Sequence, residues 1–159
     1  MASELNRDTI KNAFVTLLQS NSSLYDATGA DSKIRKITVG RPENELNSGG
    51  IPYIFIRNAR GVFENISPAD IAVSDGSRLY EHEIFFDIIC VAVRKNSKEV
   101  EHALDDFQEL ILETLEGDTT IGSSVDFSDP VKIADYPLPT ITTGKQGRII
   151  TVKCGKVTS

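Results

Sequence analysis

Three features of the sequence predict an α+β fold: a mostly antiparallel β-sheet with two amphipathic helices packed on one face and long polar loops between elements. The first is a run from Arg78 to Arg94, free of Gly and Pro and rich in β-branched and aromatic residues, the composition of a pleated, half-buried strand. The second is an apolar stripe at helical spacing that begins only a few residues later. The third is a change of character after Gly117, where short apolar runs alternate with Pro, Gly, Ser and Thr. A helix joined so tightly to a strand must double back across the sheet, and strands and helices in this order define an α+β layer structure.

The long strand is expected at about 79–94. One parity carries Tyr80, His82, Ile84, Phe86, Ile88, Cys90 and Ala92. The other starts with Glu81 and Glu83 and continues with Phe85, Asp87, Ile89, Val91 and Val93. One face is therefore buried throughout, and the other only in its second half. After the turn Arg94-Lys95-Asn96, Ser97 is placed to cap a helix over about 97–116, with Glu99 at its positive end. Val100, Ala103, Leu104, Phe107, Ile111, Thr114 and Leu115 form the stripe, and Gly117 is a stop. The opposite face is acidic: Glu101, Asp105, Asp106, Glu109, Glu113 and Glu116.

Earlier in the chain, Asn6 caps a first helix over about 6–19, with Ile10, Ala13, Phe14, Leu17 and Leu18 as its buried stripe. Lys33–Val39 reads as a short strand. Gly40–Gly50 is a loop long enough to carry function. Ile51–Arg57 is a strand opened by Pro52, with the long strand as its partner. Gly61, Pro68 and Gly76 break the pattern from Asn58 to Ser77, where Ser67–Asp70 could make one helical turn. The closing β segment is expected at about 131–154. It comprises Val131–Asp135, Leu138–Thr143 and Arg148–Cys154, with Gly144–Gly147 turning between the last two.

At 159 residues and 40% apolar content, residues 1–159 form one domain able to bury a core without staples. Two cysteines, Cys90 and Cys154, make no disulfide framework. They read as small buried thiols in a reducing compartment, with a bridge between them as the alternative. The N-terminal residues lack an apolar signal core, and no run spans a bilayer, so a soluble protein made in a cytoplasm is expected. The net charge of −6 is unevenly placed: residues 81–139 hold fourteen acids and four bases, and the remainder nine acids and thirteen bases. Such a chain grips nucleic acid phosphates poorly.

No reactive constellation emerges. His102 has Glu99 and Asp106 at helical spacing, half of a Glu-x-x-His carboxylate site whose second half is missing, and reads as a solvated histidine. His82 lies at the polar start of the strand as a rim or interface histidine. There is no Gly-x-Ser-x-Gly elbow, and Gly144-Lys-Gln-Gly147 and Gly155-Lys156-Val157 lack phosphate-loop spacing. Neither enzymatic activity nor a cofactor or metal is expected; a binding or assembly role is.

The order of elements resembles the tail terminator (tail completion) proteins of long-tailed bacteriophages. A capped helix is followed by a polar loop, from Arg41-Pro42 into Ile51-Pro-Tyr-Ile-Phe-Ile56. The long strand Tyr80–Val91 comes next, and the helix from Ser97 to Leu115 follows it directly. The similarity extends from about Asp8 to Val152, and the Pro-rich segment 129–139 has no counterpart in it.

The resemblance implies a virion protein of the tail and neck, assembled in the host bacterium's cytoplasm. It would close into a homo-oligomeric ring, a hexamer, on the finished tail tube protein, stop tube growth and present a surface to the head-completion (stopper) connector protein. DNA would pass through its lumen without specific binding, and no membrane is involved. A ring needs head-to-tail contacts, which sheet edges and extended loops can supply. The strands 51–57 and 148–154 and the 40–50 loop are the candidates, and within them Arg41, Glu43, Glu45, Asn47, Ile51, Tyr53, Arg148 and Lys153. Another phage neck or head–tail connector protein, or a small non-catalytic binding or regulatory domain, is the alternative. An enzyme built on the His102 cluster is a third.

Overall fold

A computed structural model of the chain describes residues 6–29, 32–40, 52–60, 64–68, 80–138 and 144–158. The elements run α1 (Arg7–Gln19), β1 (Lys36–Val39), β2 (Tyr53–Asn58), β3 (Asn65–Pro68), β4 (Tyr80–Val93), α2 (Ser97–Gly117), β5 (Phe127–Tyr136) and β6 (Lys145–Thr158). The six strands among the described residues belong to one sheet, ordered β1-β2-β4-β6-β5, with β3 also on β4. Every pairing is antiparallel except β1 with β2. The α+β class follows as expected.

β4 is the spine. All fourteen of its residues pair with β6, from Tyr80 opposite Thr158 to Val93 opposite Lys145. On its other side, Phe86–Val91 pair with β2 and Tyr80–Glu83 with β3. β2 and β3 thus run the same way along one flank of β4, as an interrupted strand. Ser67-Pro68, read as the start of a helical turn, lies in β3; the rest of that turn falls outside the described residues. The ladder hydrogen bonds offered by β4 draw these residues into extended backbone.

Both helices lie on one face of the sheet. Ile10, Phe14 and Leu18 of α1 and Val100, Leu104, Phe107, Ile111 and Leu115 of α2 share a core with Ile54, Ile56, Ile84, Phe86, Ile88, Ile150, Val152 and Cys154. Phe14 meets Phe86 with ring centroids 5.7 Å apart. A polar tie joins the helices, Asn21 Nδ2 donating to Thr114 Oγ1 at 2.8 Å.

Asn6 caps α1 as read, accepting from Thr9 N at 3.0 Å. The cap of α2 is Asn96 rather than Ser97: its side-chain oxygen accepts from Glu99 N at 2.9 Å. Extended backbone at Asn96 (φ −148°, ψ 172°) sets that amide over the first turn, and Ser97 becomes the first helical residue. Gly117 ends the helix inside it, with Asp118 as the following cap.

The closing segment departs furthest from expectation. β5 starts at Phe127, and Lys145–Gly147, read as a turn, open a fourteen-residue β6. β4 is long enough to pair with all three of these residues, and Gly147 also pairs with β5, lying between Val91 and Tyr136. Residues 139–143, which include most of the predicted strand Leu138–Thr143, fall outside the described residues. Cys90 and Cys154 are both buried and unbridged.

Candidate assembly surface

The face of the sheet away from the helices carries a second, smaller cluster: Tyr53, Phe55, Ile89, Val91 and Tyr136, with Leu138 and Ile149 packed against it. Strand alternation delivers these residues opposite those that face the helices. Tyr136, at the end of β5, meets Phe55 of β2 edge-on at 5.8 Å, and the Arg57 guanidinium sits over its ring at 5.6 Å. Beside them Gly40, Phe55, Arg57, Arg60, Tyr136 and Pro137 line a cleft of about 500 Å³.

Next to this cluster is a buried polar group. Asp87 is 3% exposed, accepts from Arg57 Nε at 3.1 Å and from Thr151 Oγ1 at 2.8 Å. The partners come from β2 and β6, directly opposite Asp87 in register. A buried carboxylate is tolerated when a cation and a hydroxyl satisfy it. This group joins three strands, and Arg57 in turn reaches the cleft.

The strands proposed for intersubunit contact are interior to the sheet. β2 lies between β1 and β4, and β6 between β4 and β5, so Tyr53, Arg148 and Lys153 each have a strand partner on both sides. Tyr53 is 1% exposed and stacks toward Phe55 at 6.3 Å; it is a core residue. Arg148 is held within the protomer, donating to Asp105 Oδ1 at 2.6 Å and Gln108 Oε1 at 2.9 Å, and so ties β6 to α2. Lys153 is half-buried, between Phe85 and Asp129 in register. Arg41, Glu43, Glu45, Asn47 and Ile51 lie outside the described residues.

The strand order ends instead at β1 and β5, and the short β3, paired with β4 alone, lies beside that order. Beyond the single parallel bridge of Tyr25 with Ile34, no strand among the described residues pairs with the outer side of β1, and none with that of β5. Both edges expose apolar side chains: Val39 at 39%, Val131 at 48% and Ile133 at 45%. The sequence held a signal for β5 in its alternation from Val131 to Asp135, but nothing local marks a strand as the last in its sheet.

Potential reactive groups are arranged without convergence. His102 Nε2 lies 3.6 Å from Asp106 Oδ2 on an exposed helix face, and the described residues contain no cluster of three or more His, Cys, Asp or Glu with metal-site geometry. Burial pushes the thiols of Cys90 and Cys154 up to about 12, so neither supplies a thiolate near neutral pH. The six carboxylates on the outer face of α2 are all exposed. No protein-family model matches this chain, and no curated protein matches it.

Proposed function

We propose that the chain is a structural subunit that assembles with copies of itself into a ring, in the manner of a bacteriophage tail terminator. The ring would close the end of a tail tube and join it to the head connector, with DNA passing through. The observation that carries this reading is a single sheet whose two described helices lie on the same face, and whose end strands, β1 and β5, pair with no further strand among the described residues. Two unlike edges on opposite sides of one rigid body suit head-to-tail contacts, which generate rings when the rotation closes.

The order α1, interrupted flank strand, long β4, then α2 after a three-residue connection supports the phage assignment. The exposed carboxylate row on α2 is compatible with a channel that repels phosphate, if that helix faces the lumen. Light scattering coupled to size exclusion, with negative-stain imaging, tests the assembly: particles of several subunits with a central hole are expected. In a phage lacking this gene, tails of uncontrolled length that fail to join heads are expected, and normal joined tails would refute the assignment.

The cleft beside Tyr136 favours a second reading, a small binding domain that acts as a protomer. Arg60 at its rim is exposed, and Arg57 and Tyr136 line its wall, a combination suited to an anionic, partly planar group. Saturable binding of such a ligand by a monomer would favour it.

A further inference from the structure

We propose that the second half of β5, Lys132–Tyr136, adds to the outer edge of β1 (Lys36–Val39) in a neighbouring copy, so that one sheet continues from subunit to subunit. The inference rests on the ring reading and names its contact.

Four observations converge on this pair of edges. The first is length. Pro130 and the bulge between Pro130 and Lys132 interrupt the first half of β5, devices that keep an edge from pairing. Past the bulge, Lys132–Tyr136 pair with β6 in unbroken register, leaving a regular edge of five residues to face the four of β1. The second is polarity. β1 runs parallel to β2, and each step from β2 through β4 and β6 to β5 is antiparallel. β5 is therefore antiparallel to β1 within a copy. Head-to-tail continuation of the sheet keeps that relation between copies, and the pairing is antiparallel.

The third observation is the side of the sheet to which apolar residues point. Val39 is opposite Ile56, and Ile133 opposite Ile150; both of those isoleucines belong to the core beneath the helices. Val39 and Ile133 thus point to the same side, and each is more than a third exposed in the lone protomer. Continuation of the sheet brings them onto one face, where cross-strand apolar pairs form. The fourth is charge. Lys33, Arg35 and Lys36 lead into or open β1, whereas β5 and its approach carry Asp126, Asp129 and Asp135 against one Lys132. Within Lys132–Tyr136 one Lys balances one Asp, so the charge difference lies beside the contact, basic next to β1 and acidic along the approach to β5, where it favours encounter of β1 with β5 over either edge meeting its own copy.

The test is cross-linking between separately substituted chains. Val39→Cys and Ile133→Cys proteins are mixed at high concentration with a mild oxidant and resolved without reductant, while wild-type protein is sedimented in parallel. A covalent dimer that needs both variants, and a ladder of multimers from the doubly substituted chain, is expected; so is at least a tenfold weakening of self-association in Ile133→Lys. Cross-links formed by either variant alone, or none at all, overturn the interface. If no cross-link forms and the wild type still sediments above protomer mass, the interface fails while ring assembly stands. If the wild type also sediments as a protomer, both fail.

Discussion

The ring of Tyr136 lies directly over Gly147, its register partner on β6: a Cβ added at Gly147 would come within 2.9 Å of Tyr136 Cδ2. The missing side chain lets the tyrosine lie flat and reach inward to Phe55, 5.8 Å away between ring centroids. β5 and β2 are three strand positions apart, or roughly 14 Å in a flat sheet. The sheet must therefore coil toward the face opposite α1 and α2, and Tyr136 closes that coil. The same device recurs where Phe127 covers Gly155. Two aromatic-over-glycine pairs, one at each end of β5, fix how this edge strand is aimed.

Substituting either glycine should displace its aromatic partner. Gly155→Ala drives a methyl into the Phe127 ring at Cε1 and is expected to cost about 1–3 kcal/mol, the usual penalty of overpacking. The penalty should shrink in the Phe127→Ala background, giving a coupling that a double-mutant cycle in urea can measure. Equal penalties in both backgrounds would mean that the ring is not what constrains residue 155.

Asp87 should be among the most sensitive polar positions. Asp87→Ala leaves the Arg57 guanidinium without its buried carboxylate and Thr151 without its acceptor. A loss of about 3–5 kcal/mol is expected on breaking such a pair, read from the urea midpoint. Asp87→Asn keeps an acceptor and should lose less.

Phe107 is 2% exposed at the centre of the α2 stripe, with the Arg94 guanidinium 5.8 Å from its ring centroid. Phe107→Ala should destabilise by about 3–5 kcal/mol. Thermal or chemical unfolding measures it, and a loss below 1 kcal/mol would place the centre of the helix contact elsewhere.

The connection from α2 to β5 turns left-handed at Ile121, Gly122 and Ser123 (φ 47°, 61° and 63°). The Asp118 carboxylate organises it, accepting from Thr120 Oγ1 at 2.7 Å, Gly122 N at 2.9 Å and Thr120 N at 3.1 Å. The Thr120 hydroxyl above all, with the Gly122 amide, lowers its pKa from the ordinary 3.8. A carboxyl depressed in the folded state stabilises above its unfolded pKa, and that contribution is lost as pH falls through the folded value. Asp118→Ala should therefore be less stable at neutral pH and show a shallower loss between about pH 4 and lower values, followed by acid titration of the unfolding midpoint.

At the same turn, Ser123→Gly should stabilise by about 0.5–1 kcal/mol, because it removes left-handed strain that glycine's extra chain entropy only partly offsets. Ile121 adopts the same region but is fully buried, and its packing would be forfeited by a similar change.

Local patterns revealed both helices, the long strand and its pairing with β2, because periodicity and capping are written in adjacent residues. Asn96 displaced Ser97 as the cap because both are good capping residues one position apart, and backbone dihedrals decide between them. Strand order was not legible. Arg148 and Tyr53 looked available as polar or aromatic strand residues, yet β6 and β2 lie inside the sheet and both side chains are engaged within the protomer. Asp87 interrupts an otherwise apolar half-strand, yet the sequence led to no expectation of its partners, because Arg57 and Thr151 reach it only through the register of three strands. Gly147 read as part of a turn, since the sequence does not show that Tyr136 occupies the space above it.

Self-association is the claim on which the functional account stands. Its most direct measurement is the mass of the purified protein by light scattering across concentrations up to the millimolar range, with particles imaged from the same samples. The account predicts a closed species of several subunits with a central hole, growing at the expense of protomer as concentration rises. A single-protomer mass at every concentration, with no ring in any field, would contradict it.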